Sequence, residues 1–156
     1  ERIKQYMLDH NESLAVAESV TSGQLQAALS LAEDATRFYQ GGITAYNLGQ
    51  KTKHLGIDPI HGEAYNCVSE QIAVSMAEQV CSLFSSGWGI GITGYAAPVP
   101  ELKIKTLHVY YAFAHHGKKT YSKKITAPAR QIIKAQQHFT AAVLNDFARY
   151  LWASKR

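Results

Sequence analysis

The chain has 156 residues, 46% of them hydrophobic and 18% charged, with a net charge of +4 and a sequence pI near 9.0. That is enough chain for one domain with its own core, in the composition range of ordinary globular proteins. The mild basic excess has no Lys/Arg-rich block, which speaks against a nucleic-acid partner, and no apolar run approaches the roughly 20 residues needed to span a membrane.

In chain order, Arg2 to His10 carries apolar residues at helical spacing (Ile3, Tyr6, Met7), and Asn11 suits the helix end. Leu14 to Ala17 is a short apolar run that reads as a buried strand. It breaks into the polar turn Glu18-Ser19-Val20-Thr21-Ser22-Gly23, and helical spacing resumes through Leu25, Ala28, Leu29 and Ala32. Gly41 to Asn47 reads as a second strand, Gln50 to Leu55 as a short helix ended by Gly56, and Pro59 as the start of a loop. Ser69 is a candidate N-cap for a helix running to about Ser85, with Ile72, Met76, Val80 and Leu83 on its apolar face.

Trp88 to Gly94 is a glycine-laced strand, a sign that backbone or a ligand approaches closely. The loop Tyr95 to Lys103 follows. Leu107 to Ala114 and Thr120 to Ile125 form a hairpin about His115-His116-Gly117-Lys118, and a long helix closes the chain from about Pro128 to Trp152. Helices alternating with strands, then a hairpin and a helix, predict a single α/β domain: a three-layer α/β/α sandwich with a mixed, mostly parallel sheet.

Smaller features read blandly. Lys118-Lys119 and Lys123-Lys124 fit a solvated edge strand. Cys67 and Cys81 match no metal spacing and are expected to be free thiols. Neighbours in a strand face opposite ways, so His115 and His116 are not expected to share a metal, and no metal site is assigned. The strand Tyr110 to Phe113 suits either the core or an interface. The chain starts at Glu1 without a methionine, so a few preceding residues are expected, and a cytoplasmic location is the default expectation.

The turn after the first strand carries the main chemical signal. A strand–turn–helix unit places backbone N–H groups and small hydroxyls at a helix start, where they hold an anion or present a nucleophilic serine. Ser19 or Thr21 would serve; the alternative is a turn that uses its hydroxyls only as caps. Lys51 would act as a general base for a nearby serine if burial lowered its pKa, and is otherwise a surface lysine. Tyr46 would stack on a ligand ring or fill core. Gly91-Ile92-Thr93-Gly94 would wrap a phosphate in backbone amides, although it lacks the lysine and spacing of a P-loop.

Taken together, these segments resemble the CinA C-terminal domain family of competence- or damage-inducible proteins, also called the nicotinamide-nucleotide amidase family. Its Glu-Ser-Cys-Thr-Gly-Gly turn is matched by Glu18-Ser19-Val20-Thr21-Ser22-Gly23. Its Gly-Gly-Val-Val-Ala-Tyr, then lysine and Leu-Gly-Val, is matched by Gly41-Gly42-Ile43-Thr44-Ala45-Tyr46, Lys51 and Leu55-Gly56-Ile57. Val68-Ser69-Glu70 and Gly91-Ile92-Thr93-Gly94 follow in order, so the resemblance covers nearly the whole chain.

The resemblance implies hydrolysis of nicotinamide mononucleotide to nicotinic acid mononucleotide and ammonia, without metal or redox cofactor. Ser19 would be nucleophile and Lys51 its base, with Tyr46 beside them. Glu18, Thr21, Ser22, Gly23, Thr93, Gly94 and Arg130 would bind the substrate. It also implies a homodimer or higher homo-oligomer.

Four departures stand out: Val20 for cysteine, Ser22 for glycine, Ala97-Pro98-Val99-Pro100 for a glycine-rich loop, and Ala129-Arg130 for an Asp-Arg pair. A methyl or isopropyl group in a phosphate loop obstructs backbone amides. The altered loop therefore motivates two alternatives: a degenerate domain that binds a ligand or mediates assembly, and an amidase for a smaller substrate.

Overall fold

The structure, a computed structural model, describes residues 1–154. Five strands form one sheet in the order β2-β1-β3-β4-β5: β1 (Leu14–Glu18), β2 (Tyr39–Thr44), β3 (Trp88–Tyr95), β4 (Leu107–His115) and β5 (Lys118–Ala127). β1 pairs in parallel with both β2 and β3; β4 runs antiparallel to β3 and β5. Six α-helices accompany them: α1 (Arg2–Asp9), α2 (Gln24–Ser30), α3 (Leu48–Leu55), α4 (Pro59–Ala64), α5 (Glu70–Phe84) and α6 (Ile132–Ala153). The result is the expected α/β/α sandwich on a mixed sheet. No helix among the described residues is long and apolar enough to cross a membrane.

The two faces of the sheet are built from different residues. On one face, Leu14 and Val16 of β1, Ile90 and Ile92 of β3 and Val109, Tyr111 and Phe113 of β4 pack with Met7, Leu25, Phe139, Val143 and Phe147, so α1, α2 and α6 cover it. Tyr111 is core here, and its hydroxyl donates to Asp146 Oδ2 of α6 at 2.6 Å.

The other face presents small side chains: Ala15 and Ala17 of β1, Ala112 and Ala114 of β4, and Gly89 and Gly91 of β3. Alternation along each strand assigns the two sets to opposite faces. Small residues let α5 lie close, with Ala73 and Ala77 against the sheet. A side chain at Gly91 would strike the Ala73 carbonyl oxygen and Ala77 N of α5. The glycines read in the sequence as a mark of close approach are therefore, at Gly91, the seat of a helix.

Several boundaries differ from the sequence expectation. Pro59 opens helix α4 rather than a loop: it sits in the first turn, where a missing N–H costs nothing, and the Asp58 carboxylate accepts from Ile60 N at 3.0 Å. β2 stops at Thr44 instead of Asn47 because Asn47 turns to cap α3, its side chain accepting from Gln50 N. α6 begins at Ile132, four residues later than Pro128, and α2 ends at Ser30.

The hairpin corner is a further correction. Strand alternation ends at His115, and His116 takes a left-handed φ of 50°. The two rings therefore lie 3.9 Å apart, centroid to centroid, instead of on opposite faces. β5, with its lysine pairs, is an edge strand, as expected. Both cysteines are free.

Because the α5 backbone has no slack over β3, Gly91→Ala is expected to cost about 3 kcal/mol. That lowers the melting temperature by about 6–12 °C, readable by circular dichroism.

Candidate active site

β1 is flanked by β2 on one side and β3 on the other, with the chain leaving it over α2 and returning to β3 by way of α3, α4 and α5. This is a topological switch point, where the carboxyl ends of adjacent parallel strands open a crevice. Ser19 follows β1 directly, and Thr93 to Tyr95 end β3.

The turn is held from beneath by Glu18, which is fully buried. Its carboxylate accepts from Thr21 Oγ1 at 2.5 Å, Leu25 N at 2.8 Å and Gln26 N at 3.0 Å. It satisfies N–H groups at the start of α2 that the helix itself leaves unpaired. Two successive residues of positive φ, Ser22 at 50° and Gly23 at 94°, then swing the chain into α2. Ser22 N–H donates to the Ser19 carbonyl oxygen and Gln24 N–H to that of Thr21.

Above this support lies a buried serine–lysine pair. Lys51 Nζ stands 2.9 Å from Ser19 Oγ and donates to the Ala45 carbonyl oxygen, also at 2.9 Å. Lys51 is 1% exposed and Ser19 7%. α3 delivers the lysine: Asn47 caps it, Gly56 ends it in the left-handed conformation, and Leu55 beside Ile57 is packed with Ala15 and Ala17. Burial lowers the pKa of Lys51, while negative charge on Cys67 would raise it. A neutral amine has one lone pair, so it can take the serine proton while still donating to Ala45.

The pair forms the floor of a cleft of about 480 Å³, a volume suited to a small-molecule ligand. Val20, Tyr46, Thr93, Gly94 and Tyr95 line it, along with the apolar side chains of Ala96, Ala97, Val99 and Ile132. The 95–103 loop is folded back by a bridge between Val99 and Ile104. Lys51 and Glu63 are the charged residues of the lining.

The structure sorts the residues singled out in the sequence. Ser19, Lys51, Tyr46, Thr93 and Gly94 are brought together in the cleft, and Tyr46 is 67% exposed there. Thr93 Oγ1, however, donates to the Cys67 carbonyl oxygen, and Gly94 is pressed against His108 and Val109 of β4. Glu18 and Thr21 face each other below the cleft. Ser22 and Gly23 shape the turn, with the Ser22 side chain exposed. Arg130 is exposed and donates from Nε to the Pro128 carbonyl oxygen, while its neighbour Ile132 reaches the cleft.

Sequence reasoning missed Asn66 and Cys67, which line the cleft in successive left-handed conformations. Asn66 Nδ2 donates to Tyr95 Oη at 3.2 Å. Only the αL tolerance of asparagine hinted at such a bend.

Fold and site thus define an α/β domain with a buried serine–lysine pair in a small-molecule cleft. Residues 1–151 match the CinA C-terminal domain family, and the chain belongs to it. The CinA-like protein of Gemmatimonas aurantiaca is 43% identical over 100 residues, 62% of this chain and 23% of that protein. The CinA-like protein of Synechocystis sp. is 39% identical over 110 residues, 69% of this chain and 26% of its own length. The chain therefore spans about a quarter of the length of these curated relatives. Among solved structures, the competence damage-inducible protein A of Klebsiella pneumoniae superposes with a TM-score of 0.88 at 23% identity, covering 96% of this chain and 92% of that one. A CinA superfamily protein of Escherichia coli gives 0.78 at 28% identity, covering 91% and 84%.

Two substitutions in the turn should move stability in opposite directions. Ser22→Gly relieves a left-handed non-glycine residue and should stabilise by about 1 kcal/mol, raising the melting temperature by about 2–4 °C. Glu18→Ala leaves two backbone N–H groups without their acceptor and should cost about 3 kcal/mol, seen as a fall of about 6–12 °C.

Proposed function

We propose that this domain is a serine–lysine amidohydrolase, with the carboxamide of nicotinamide mononucleotide as its substrate. The observation that carries the reading is the 2.9 Å contact between Lys51 Nζ and Ser19 Oγ in a buried setting. Family membership supports it.

In this mechanism Lys51, in the neutral form that desolvation favours, takes the proton from Ser19 as Oγ attacks the amide carbon. N–H groups of the turn after Ser19 hold the oxyanion, each donor contributing on the order of 3 kcal/mol. Collapse of the tetrahedral intermediate breaks the C–N bond, and Lys51 returns the proton to the departing ammonia. Water then attacks the acyl ester, with Lys51 as base, and frees the carboxylate and Ser19. Tyr46, exposed at the rim, would stack on the pyridine ring, and Thr93 with Gly94, in the same lining, would meet the nucleotide end.

A second reading rests on the wall formed by Ala96, Ala97 and Val99. An apolar wall where a phosphate would sit favours an amide substrate without that phosphate. Ammonia release should therefore be measured on nicotinamide mononucleotide, nicotinamide riboside and nicotinamide, with Ser19→Ala as control. Turnover of the mononucleotide that falls at least a thousandfold in Ser19→Ala supports the main reading. Turnover of only the smaller amides selects the second. No release from any of the three, by folded protein, leaves a non-catalytic domain.

The pH profile adds a check on Lys51. Only the neutral amine is a base, so kcat/KM should rise about tenfold per pH unit on its acid limb. The rise should level off below the pH an exposed lysine requires, because burial lowers this pKa.

A further inference from the structure

At the amino end of β1, far from the cleft, two chain segments, the loop before β1 and the β4–β5 corner, bring together Glu12, His115 and His116. One ligand-type atom from each lies within 4.8 Å of the other two. Glu12 and His115 are partly buried and His116 is exposed. We propose that these residues form a binding site for a late first-row transition-metal dication, with zinc as its simplest occupant.

The arrangement is built rather than incidental to a flexible surface. His115 Nε2 is 2.8 Å from Glu12 Oε1, and the ring stacks on Trp88 at 4.2 Å with 19° between planes. Trp88 is itself buried against Phe147 and Tyr150. Glu12 is fixed from its own side: its N–H donates to the Met7 carbonyl oxygen, and its carboxylate lies over Gly87, where any Cβ would collide with it. His116 N–H donates to the Gly87 carbonyl oxygen at 2.7 Å, which pins the corner that carries the third ligand. Two ligands are thus positioned by packing, and the third ring, exposed on a pinned backbone, supplies the adjustment.

Two imidazoles and a carboxylate are a borderline-to-hard donor set. It suits zinc, nickel or copper and not the all-oxygen preference of magnesium or calcium. Ligand atoms around a tetrahedral zinc stand about 3.3–3.5 Å apart, given bonds of roughly 2.0–2.1 Å. Closing the triad to that spacing asks for a small swing of the exposed His116 ring. The metal takes the place of the Glu12–His115 hydrogen bond, with His115 binding through Nε2 as the neutral tautomer that carries its proton on Nδ1. The three protein ligands leave a fourth position for water.

Such a site would tie the loop before β1 to the β4–β5 corner. Ser19 lies seven residue steps of largely extended chain beyond Glu12, roughly 20 Å at the rise of a strand. The site is therefore separate from the serine–lysine chemistry.

The test is a titration of the purified chain with Zn²⁺ by calorimetry, alongside thermal melts with and without the metal. One equivalent should bind, and the melting temperature should rise with metal concentration. Glu12→Gln, His115→Ala and His116→Ala should each weaken binding at least tenfold, while His138→Ala, an exposed histidine on α6, should not. His116→Ala is the decisive variant, since its side chain is exposed and its metal-free melting temperature should be unchanged. Failure of Zn²⁺ to bind stoichiometrically, or binding as tight in His116→Ala as in the parent chain, would overturn the proposal.

Discussion

A single buried amine organises this molecule. Lys51 gives up nearly all contact with water, and a charged ammonium there would be strongly disfavoured. The fold compensates with one carbonyl, Ala45, and one hydroxyl, Ser19, at equal distances. With no carboxylate hydrogen-bonded to it, desolvation is the leading influence on its proton affinity, and the neutral form gains. The same burial that is unfavourable for folding makes the lysine able to accept a proton, so stability and chemistry pull against each other at this residue.

Keeping the amine in place depends on elements that never touch a ligand. β1 must end where Ser19 meets it, and Glu18 secures that end by binding three donors beneath the turn. α3 must lie at one height and rotation over β1, which the packing of Leu55 and Ile57 against Ala15 and Ala17 provides. Those alanines belong to the small-residue face of the sheet. The face that holds α5 close over β3 is thus continuous with the one that seats the base.

Much of this was legible in the chain. The apolar run Leu14 to Ala17, the capping Ser69 and the glycine-laced 88–94 strand each carry a local pattern that one physical rule decodes. The turn at Glu18 to Gly23 announced itself by composition, yet its residues divide by role. Ser19 faces up to Lys51, whereas Glu18 and Thr21 face down to α2. Composition cannot separate them, because a carboxylate that binds a substrate and one that binds helix N–H groups look alike in sequence. Pro59 misled for a related reason: the residue that ends one helix is equally suited to start another.

The sequence by itself determined the element order apart from helix α4, and a mixed sheet with a parallel core; the serine turn and Lys51 were linked only through the family resemblance. Each of these is written in local periodicity or in a short motif. Tertiary structure alone decided how deep Lys51 lies, which small residues seat α5, and that Asn66, Cys67 and Ile132 wall the cleft. It also decided that His115 and His116 turn toward Glu12, a residue more than a hundred positions away along the chain. Burial and proximity are properties of packed surfaces, and no local stretch of chain encodes them.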